Sequence, residues 1–336
     1  NLKFGLYDAG TYPHYNVILA AFESTYPCLG ITCAHVGSLT ASVSSFMGAA
    51  SCSLAPIAGY IPGSDVTEHN KIDLDQKDME TALSSGDWTA ANSTYATGGN
   101  SQSKGSYRTL QGFSTSAQAK MYDGCPGCPY KHYKMFYDYY GDFDYADKWV
   151  SAALAGTSMS FSSGKHGPND FSTLGDAARI EAVKKGSAYM NVWMYAIREF
   201  EDAIDDCSTC DIGCNEFSLN DGAVHAWDEG VAFYSGTLEG TAEGGDGAGK
   251  LVYRLAEKRC QNFGTCGANG DQTSGTSQVN LALFPLFAEG ARLLRRGECG
   301  AVRPLVEQIV SLMTVPLVQG SLRYAYKIGE VPADRS

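Results

Sequence analysis

The stretch at residues 220–240, NDGAVHAWDEGVAFYSGTLEG, constrains the fold more than any other part of the chain. Written as a helix, it sets Val224, Trp227, Val231, Tyr234 and Leu238 at alternating spacings of three and four. That seam is apolar and has to be covered by other helices. At about 100° per residue, His225, Asp228, Glu229, Ala232, Gly236 and Glu239 fall on one narrow neighbouring arc. An imidazole and carboxylates therefore share a face with residues too small to fill space. Buried groups of this kind need a partner, and a metal ion is one such partner. A solvated or ion-paired face is the other reading of the same pattern.

The rest of the chain runs in the same period. Helices are expected at 16–23 and, in a small Ser/Ala-rich stretch, at 35–55. Residues 72–97 carry Leu83, Trp88, Ala91 and Tyr95 at helical spacing, interrupted at Gly86-Asp87 and ended by Gly-Gly-Asn-Ser at 98–101. An Ala-rich helix following Tyr145 ends at Gly156, and a Ser/Gly/Lys/Pro-rich linker at 157–170 divides the chain near its middle. Asp176 caps a long helix through Asp205, with Val183, Met190, Trp193, Ile197, Phe200 and Ile204 as its stripe. Glu181, Tyr195, Glu199 and Asp202 share the adjoining face. Such a helix would exceed about 40 Å, so a break is expected near Gly186. Further helices are expected at 251–260, at 279–295 across Pro285, at 302–314, and at 316–327 with Pro316 in its first turn.

A faint repeat runs through this pattern. Glu80, Gly86 and Tyr95 are matched by Glu181, Gly186 and Tyr195, and Tyr145-Ala146, Ala152 and Gly156 share their spacing with His225-Ala226, Ala232 and Gly236. The expectation is an all-α fold of two pseudo-repeated helical-bundle halves, 1–165 and 166–336, packed as one unit, the second carrying the metal helix at 220–240.

A net charge of -12 over 336 residues argues against nucleic acid and anionic membrane as partners. Nine of the eleven cysteines cluster, as Cys28 and Cys33, Cys125 and Cys128, Cys207, Cys210 and Cys214, and Cys260 and Cys266. Cys207-x-x-Cys210 with Cys125-x-x-Cys128 permits a zinc site. Their Gly/Asp/Pro-rich turns and the scatter of further cysteines favour short-loop disulfides that pin the loops of an exported protein. The sequon Asn92-Ser93-Thr94 agrees with export. No uninterrupted apolar run of spanning length is visible, so direct membrane insertion is not expected, and Asn1 reads as a processed N-terminus.

Phosphate loops, G-x-S-x-G and H-E-x-x-H are absent from the sequence. Of six histidines, His35, His69 and His166 sit in loop-like contexts and are expected to be exposed, while His14 and His132 lie beside tyrosines. His225 alone combines a helix, carboxylate neighbours and a packing face. The first-choice ligands are therefore His225 with Asp228 or Glu229. Glu199, Asp202 and Tyr145 follow from helices expected to pack nearby.

Several stretches resemble the algal Fe-assimilating proteins and the related phytotransferrins. They are GDWTAANSTYATGGNS from Gly86, RTLQGF from Arg108, YYGDFDYADKW from Tyr139, HAWDEGVAFYSGTLEG from His225, and VPLVQGSLRYAYK from Val315. The resemblance implies a secreted, periplasmic or cell-surface protein that captures ferric iron, with carbonate as an accompanying anion. A membrane-bound iron transporter or reductase would be its partner. Arg108, with Thr109 beside it, would then hold the anion, a structural arginine being the alternative. The His-x-x-Asp of His225 and Asp228 also resembles the His-x-x-Glu of imelysin-like iron proteins, with Glu229 next in line. The rival reading is a structural or adhesive cell-surface glycoprotein without a metal. A metal-dependent hydrolase comes third, because nothing singles out a general base.

Overall fold

The computed structural model describes residues 54–209 and 221–330. The helix expected at 16–23, all but the last two residues of the one expected at 35–55, and Cys28, Cys33, Cys210 and Cys214 lie outside the described residues. In chain order the helices are α1 (Thr67–Asn70), α2 (Ile72–Ser84), α3 (Trp88–Thr97), α4 (Leu110–Thr115), α5 (Lys131–Tyr140) and α6 (Tyr145–Ala155). They continue as α7 (Asp176–Lys185), α8 (Trp193–Ser208), α9 (Asp221–Ser235), α10 (Val252–Phe263), α11 (Gln278–Arg295) and α12 (Cys299–Glu330). Single π-helical stretches fill Gln118–Tyr122 and Gly186–Val192. The only strands among the described residues are two antiparallel hairpins, β1 (Gln102–Ser103) with β2 (Ser106–Tyr107) and β3 (Ser158–Ser160) with β4 (Pro168–Asp170). The fold is all-α.

Local chemistry sets most of these boundaries. Gly86, at φ 78°, takes the turn between α2 and α3, and Asp87 caps α3 by accepting from the backbone N–H of Ala90. Gly156 closes α6 in the left-handed region. The break expected near Gly186 is a π-helical stretch, so α7 and α8 stay in line rather than parting. Residues 157–170, read as a linker, form the β3–β4 hairpin and its loop, with Phe161 and Phe171 buried on either side.

The largest departure is at the C-terminal end. Two helices were expected around Pro316, but α12 runs unbroken from Cys299 to Glu330 with Pro304 and Pro316 inside it. Pro316 costs one backbone hydrogen bond. Burial of Val302, Val306, Ile309, Val310 and Met313 against α10 and α11 holds the helix through that defect. By length and composition alone, α12 is also the one helix among the described residues that is apolar enough to cross a membrane. Its first half is instead built into the core.

At the centre, α9 packs along α8 through one glycine notch and against α11 through another. A Cβ at Gly230 would stand 2.7 Å from the ring of Phe200, and one at Gly290 of α11 would overlap the indole of Trp227. Trp227 is fully buried and donates its N–H to the carbonyl of Phe287 at 2.9 Å. One apolar cluster runs from Met79, Tyr95 and Phe113 through Phe200 and Trp227 to Phe287 and Val306, crossing the middle of the sequence.

Disulfides Cys125–Cys128 and Cys260–Cys266 close short loops as expected. Cys207 does otherwise. It pairs with Cys299, 92 residues away, and ties the end of α8 to the start of α12. With Cys125, Cys128 and Cys207 bonded in this way, the zinc reading of these cysteines falls.

Candidate metal centre

Helix α9 offers two carboxylates in succession, and the helical turn of about 100° per residue sends them to different neighbours. Asp228, fully buried, faces the segment that precedes α1. There it accepts from the hydroxyl of Tyr60 at 2.5 Å, from the N–H groups of Gly63 and Ser64 at 2.8 and 2.7 Å, and from the Ser64 hydroxyl at 2.8 Å. With both oxygens taken, Asp228 holds a loop. Glu229 shares a face with His225 one turn earlier and points to a histidine the sequence did not single out, His69 on α1.

His69, His225 and Glu229 each turn one ligand atom inward, all within 4.8 Å of one another. Nε2 of His225 lies 3.1 Å and Nε2 of His69 3.3 Å from Oε1 of Glu229. Two donors at right angles about an ion, with bonds of about 2.1 Å, stand about 3 Å apart. The second oxygen of Glu229 receives the guanidinium of Arg108 at 2.7 Å. The side chains of His69 and Glu229 are 10% and 7% exposed, whereas that of His225 is 39% exposed, so the cluster opens to solvent past His225 alone.

Protonation states follow from these contacts. Burial pushes His69 down to about 4, so its imidazole is neutral at pH 7, and neither of its buried ring nitrogens has a hydrogen-bond partner among the described residues. His225 is raised above its ordinary 6.5 because Glu229 accepts its hydrogen bond. Burial alone would raise Glu229, but the His225 hydrogen bond and the charge of Arg108 hold it down at about 2. Ser64 donates its hydroxyl proton to Asp228 and sits 3.0 Å from Nδ1 of His225, so it accepts there. That leaves Nδ1 as the protonated nitrogen of a neutral His225 and turns the Nε2 lone pair toward Glu229. A lone pair and a carboxylate oxygen at that separation require a cation between them, either a proton or a metal.

A ring of cations borders the cluster. Arg108 reaches Glu199 at 3.9 Å and the Tyr195 hydroxyl at 3.4 Å, and Lys120 from the first π-helical stretch donates to the same hydroxyl at 2.7 Å. Glu199 is buried beside Arg198, and burial raises its carboxyl to about 7.

The structure thus brings together His225, Glu229, Glu199 and Arg108 from the sequence reading, and adds His69. Asp202 sits at the far side of Arg198, paired with it at 2.7 Å. Thr109 caps α4, its hydroxyl accepting from the Gly112 N–H. Tyr145 packs in an aromatic group instead, 4.8 Å from Tyr140 and 5.8 Å from Phe136 between ring centroids. The expectation that His69 is exposed is corrected, since it is 8% exposed inside a four-residue helix too short to show a period. Its one local signal is Asp65, which accepts from the Thr67 N–H and starts the turn.

Fold and site together define a disulfide-bonded all-α protein that carries a two-histidine, one-carboxylate cluster. The chain belongs to the Fea1 family, described as low iron-inducible periplasmic proteins, whose family model matches residues 29–327. It is accordingly a periplasmic protein of iron-limited conditions. No curated protein and no solved structure matches it significantly.

Proposed function

We propose that the protein captures ferric iron outside the cytoplasm and holds it, without turnover, at His69, His225 and Glu229. The observation that carries this reading is His69, a neutral buried imidazole with no hydrogen-bond partner among the described residues, aimed at the same carboxylate oxygen as a second imidazole. Leaving such a group unpaired costs free energy, and a coordinated ion removes that cost. Two imidazoles and one carboxylate on one side of an ion leave its remaining positions open. Those positions lie toward His225, where solvent enters. A carbonate-type anion filling them would find positive charge at Arg108 and Lys120. Low-iron induction in the family description favours iron over zinc. Release to a membrane-bound transporter or reductase would complete the task.

The test is metal analysis of protein purified natively without chelator, followed by titration with Fe(III) as a soluble chelate, with and without bicarbonate. One iron per chain and an iron-dependent rise in melting temperature are expected. No bound iron and no rise would leave the metal-free surface glycoprotein as the reading.

A further inference from the structure

A second polar cluster lies outside the metal centre, where α10 crosses the last turns of α12 beside the second π-helical stretch. Arg259 of α10 is 9% exposed, and its guanidinium makes no hydrogen bond and no ion pair among the described residues, its Nε being fully buried. Buried guanidinium groups are normally paired. Helix α12 packs on α10, with Gln319 reaching the Thr265 hydroxyl just past the end of α10 at 3.5 Å, and brings another cation, Arg323, to this face. Burial lowers Arg259 from its ordinary value, and Arg323 of α12 lowers it further. Arg323 also has no carboxylate within ion-pair distance among the described residues, and its guanidinium stands 5.3 Å from the ring centre of Tyr324.

The acids close by are already engaged. Glu181 is held by Lys185 at 2.9 Å and Lys184 at 3.3 Å, and Glu80 by Lys250 at 3.0 Å. The basic character continues along α10, where burial lowers Lys258 and the charges of Arg254 and Lys250 lower it further. In a chain of net charge -12, a face on which Arg259 and Arg323 have no ion-pair partner among the described residues is not a by-product of composition.

We propose that Arg259 and Arg323 form an oxyanion site on the face between α10 and α12, taking a phosphate or sulfate group. A guanidinium presents its donors in a planar fork that matches such an oxyanion, and two forks from two helices supply the charge that a doubly charged ligand needs. The Tyr324 ring, over which Arg323 lies, flanks the site. The partly exposed Arg323 is the side from which the ligand arrives. The site is independent of the iron reading and stands or falls apart from it.

The test is thermal unfolding and calorimetric titration of the whole chain with inorganic phosphate, sulfate and a simple phosphate monoester, at ionic strength held constant with chloride. A saturable rise in melting temperature is expected with at least one of the three and not with chloride; the one that binds tightest identifies the ligand's bearer. Arg259→Gln and Arg323→Gln should each weaken binding about tenfold or more, the loss of one charge-assisted contact. Lys134→Gln, which breaks only the exposed Lys134–Asp138 pair, should leave it unchanged. Without oxyanion, Arg259→Gln should melt no lower than wild type, because it removes a charge that has no partner. The proposal is overturned by a rise that chloride reproduces, by no saturable rise, or by both Arg variants binding as wild type does. It is also overturned if Arg259→Gln is markedly less stable in oxyanion-free buffer, which would reveal a carboxylate partner beyond the described residues.

Discussion

Replacing His69 by alanine separates coordination from packing. The ring is 8% exposed and meets His225 edge-on at 5.2 Å between centroids. Its removal loses that contact and opens a small cavity, a cost of about 1–2 kcal/mol. It also removes two buried nitrogens without partners, whose burial costs about 1–3 kcal/mol each. Metal-free His69→Ala should therefore be no less stable than wild type. Iron tells a different story. At a hundredfold excess over Kd, iron stabilises the wild type by about 2.7 kcal/mol, and a variant that binds about a hundredfold more weakly retains only about 0.4 kcal/mol. For a chain of 336 residues that is a fall in the iron-induced melting shift from about 4 °C to about 0.6 °C. Trp227→Ala is the control: it cuts a fully buried indole bonded to Phe287, so it should cost about 3–5 kcal/mol with and without iron while keeping the increment. The assay is differential scanning calorimetry with Fe(III) chelate and bicarbonate, read beside bound-iron content. Should His69→Ala keep the wild-type increment, or lose several kcal/mol without iron, the assignment of His69 as a ligand is wrong.

Iron affinity should fall as pH drops through the raised pKa of His225, because the metal must displace its proton; in metal-free protein the same raised pKa stabilises the fold at low pH and loses that contribution as pH rises through it. Binding unchanged from neutral pH to about pH 5 would remove His225 from the ligand set. Asp73, fully buried and raised by burial to about 7, holds its proton more tightly folded than unfolded, so it lowers stability progressively as pH rises from about 4 to 7, by about 2–4 kcal/mol. Asp73→Asn should flatten that part of the pH–stability curve, and an unchanged slope in urea titrations would refute the assignment. Tyr145→Phe deletes a buried hydroxyl without a partner, so iron binding should be unaffected and stability equal or up to about 1 kcal/mol higher; a loss of bound iron would restore Tyr145 as a ligand.

What could be read from the sequence was what is local. The apolar seam of α9 and the shared face of His225 and Glu229 depend only on helical period, and both are present. The end of α6 at Gly156 and the turn at Gly86 rest on backbone chemistry of single residues. What was not legible depends on contacts far along the chain. His69 sits in a helix of four residues, and nothing local ties it to His225. Cys207 was drawn to its neighbours by spacing, while the fold brings it to Cys299. Pro316 reads as a helix start, yet burial of the preceding turns overrides it. Tyr195 does share the face of Glu199 expected from the period, but Lys120, which donates to its hydroxyl, comes from a π-helical stretch that the period of 3.6 does not describe.

The choice between Asp228 and Glu229, left open by sequence, shows how the two roles depend on each other. Asp228 takes four hydrogen bonds from Tyr60, Gly63 and Ser64, and that segment leads directly into the helix that carries His69. Asp228 therefore has no oxygen left for an ion, yet it fixes the approach of the α1 histidine to Glu229. The same Ser64 hydroxyl that donates to Asp228 accepts from Nδ1 of His225 and so sets which nitrogen of that ring is free. Outer contacts of this kind orient metal ligands and fix their tautomers. In the proposed site one carboxylate of the pair would face the ion, while the other holds both imidazoles in position to meet it. Exchanging their places in the sequence would rotate each by about 100° and leave neither role filled.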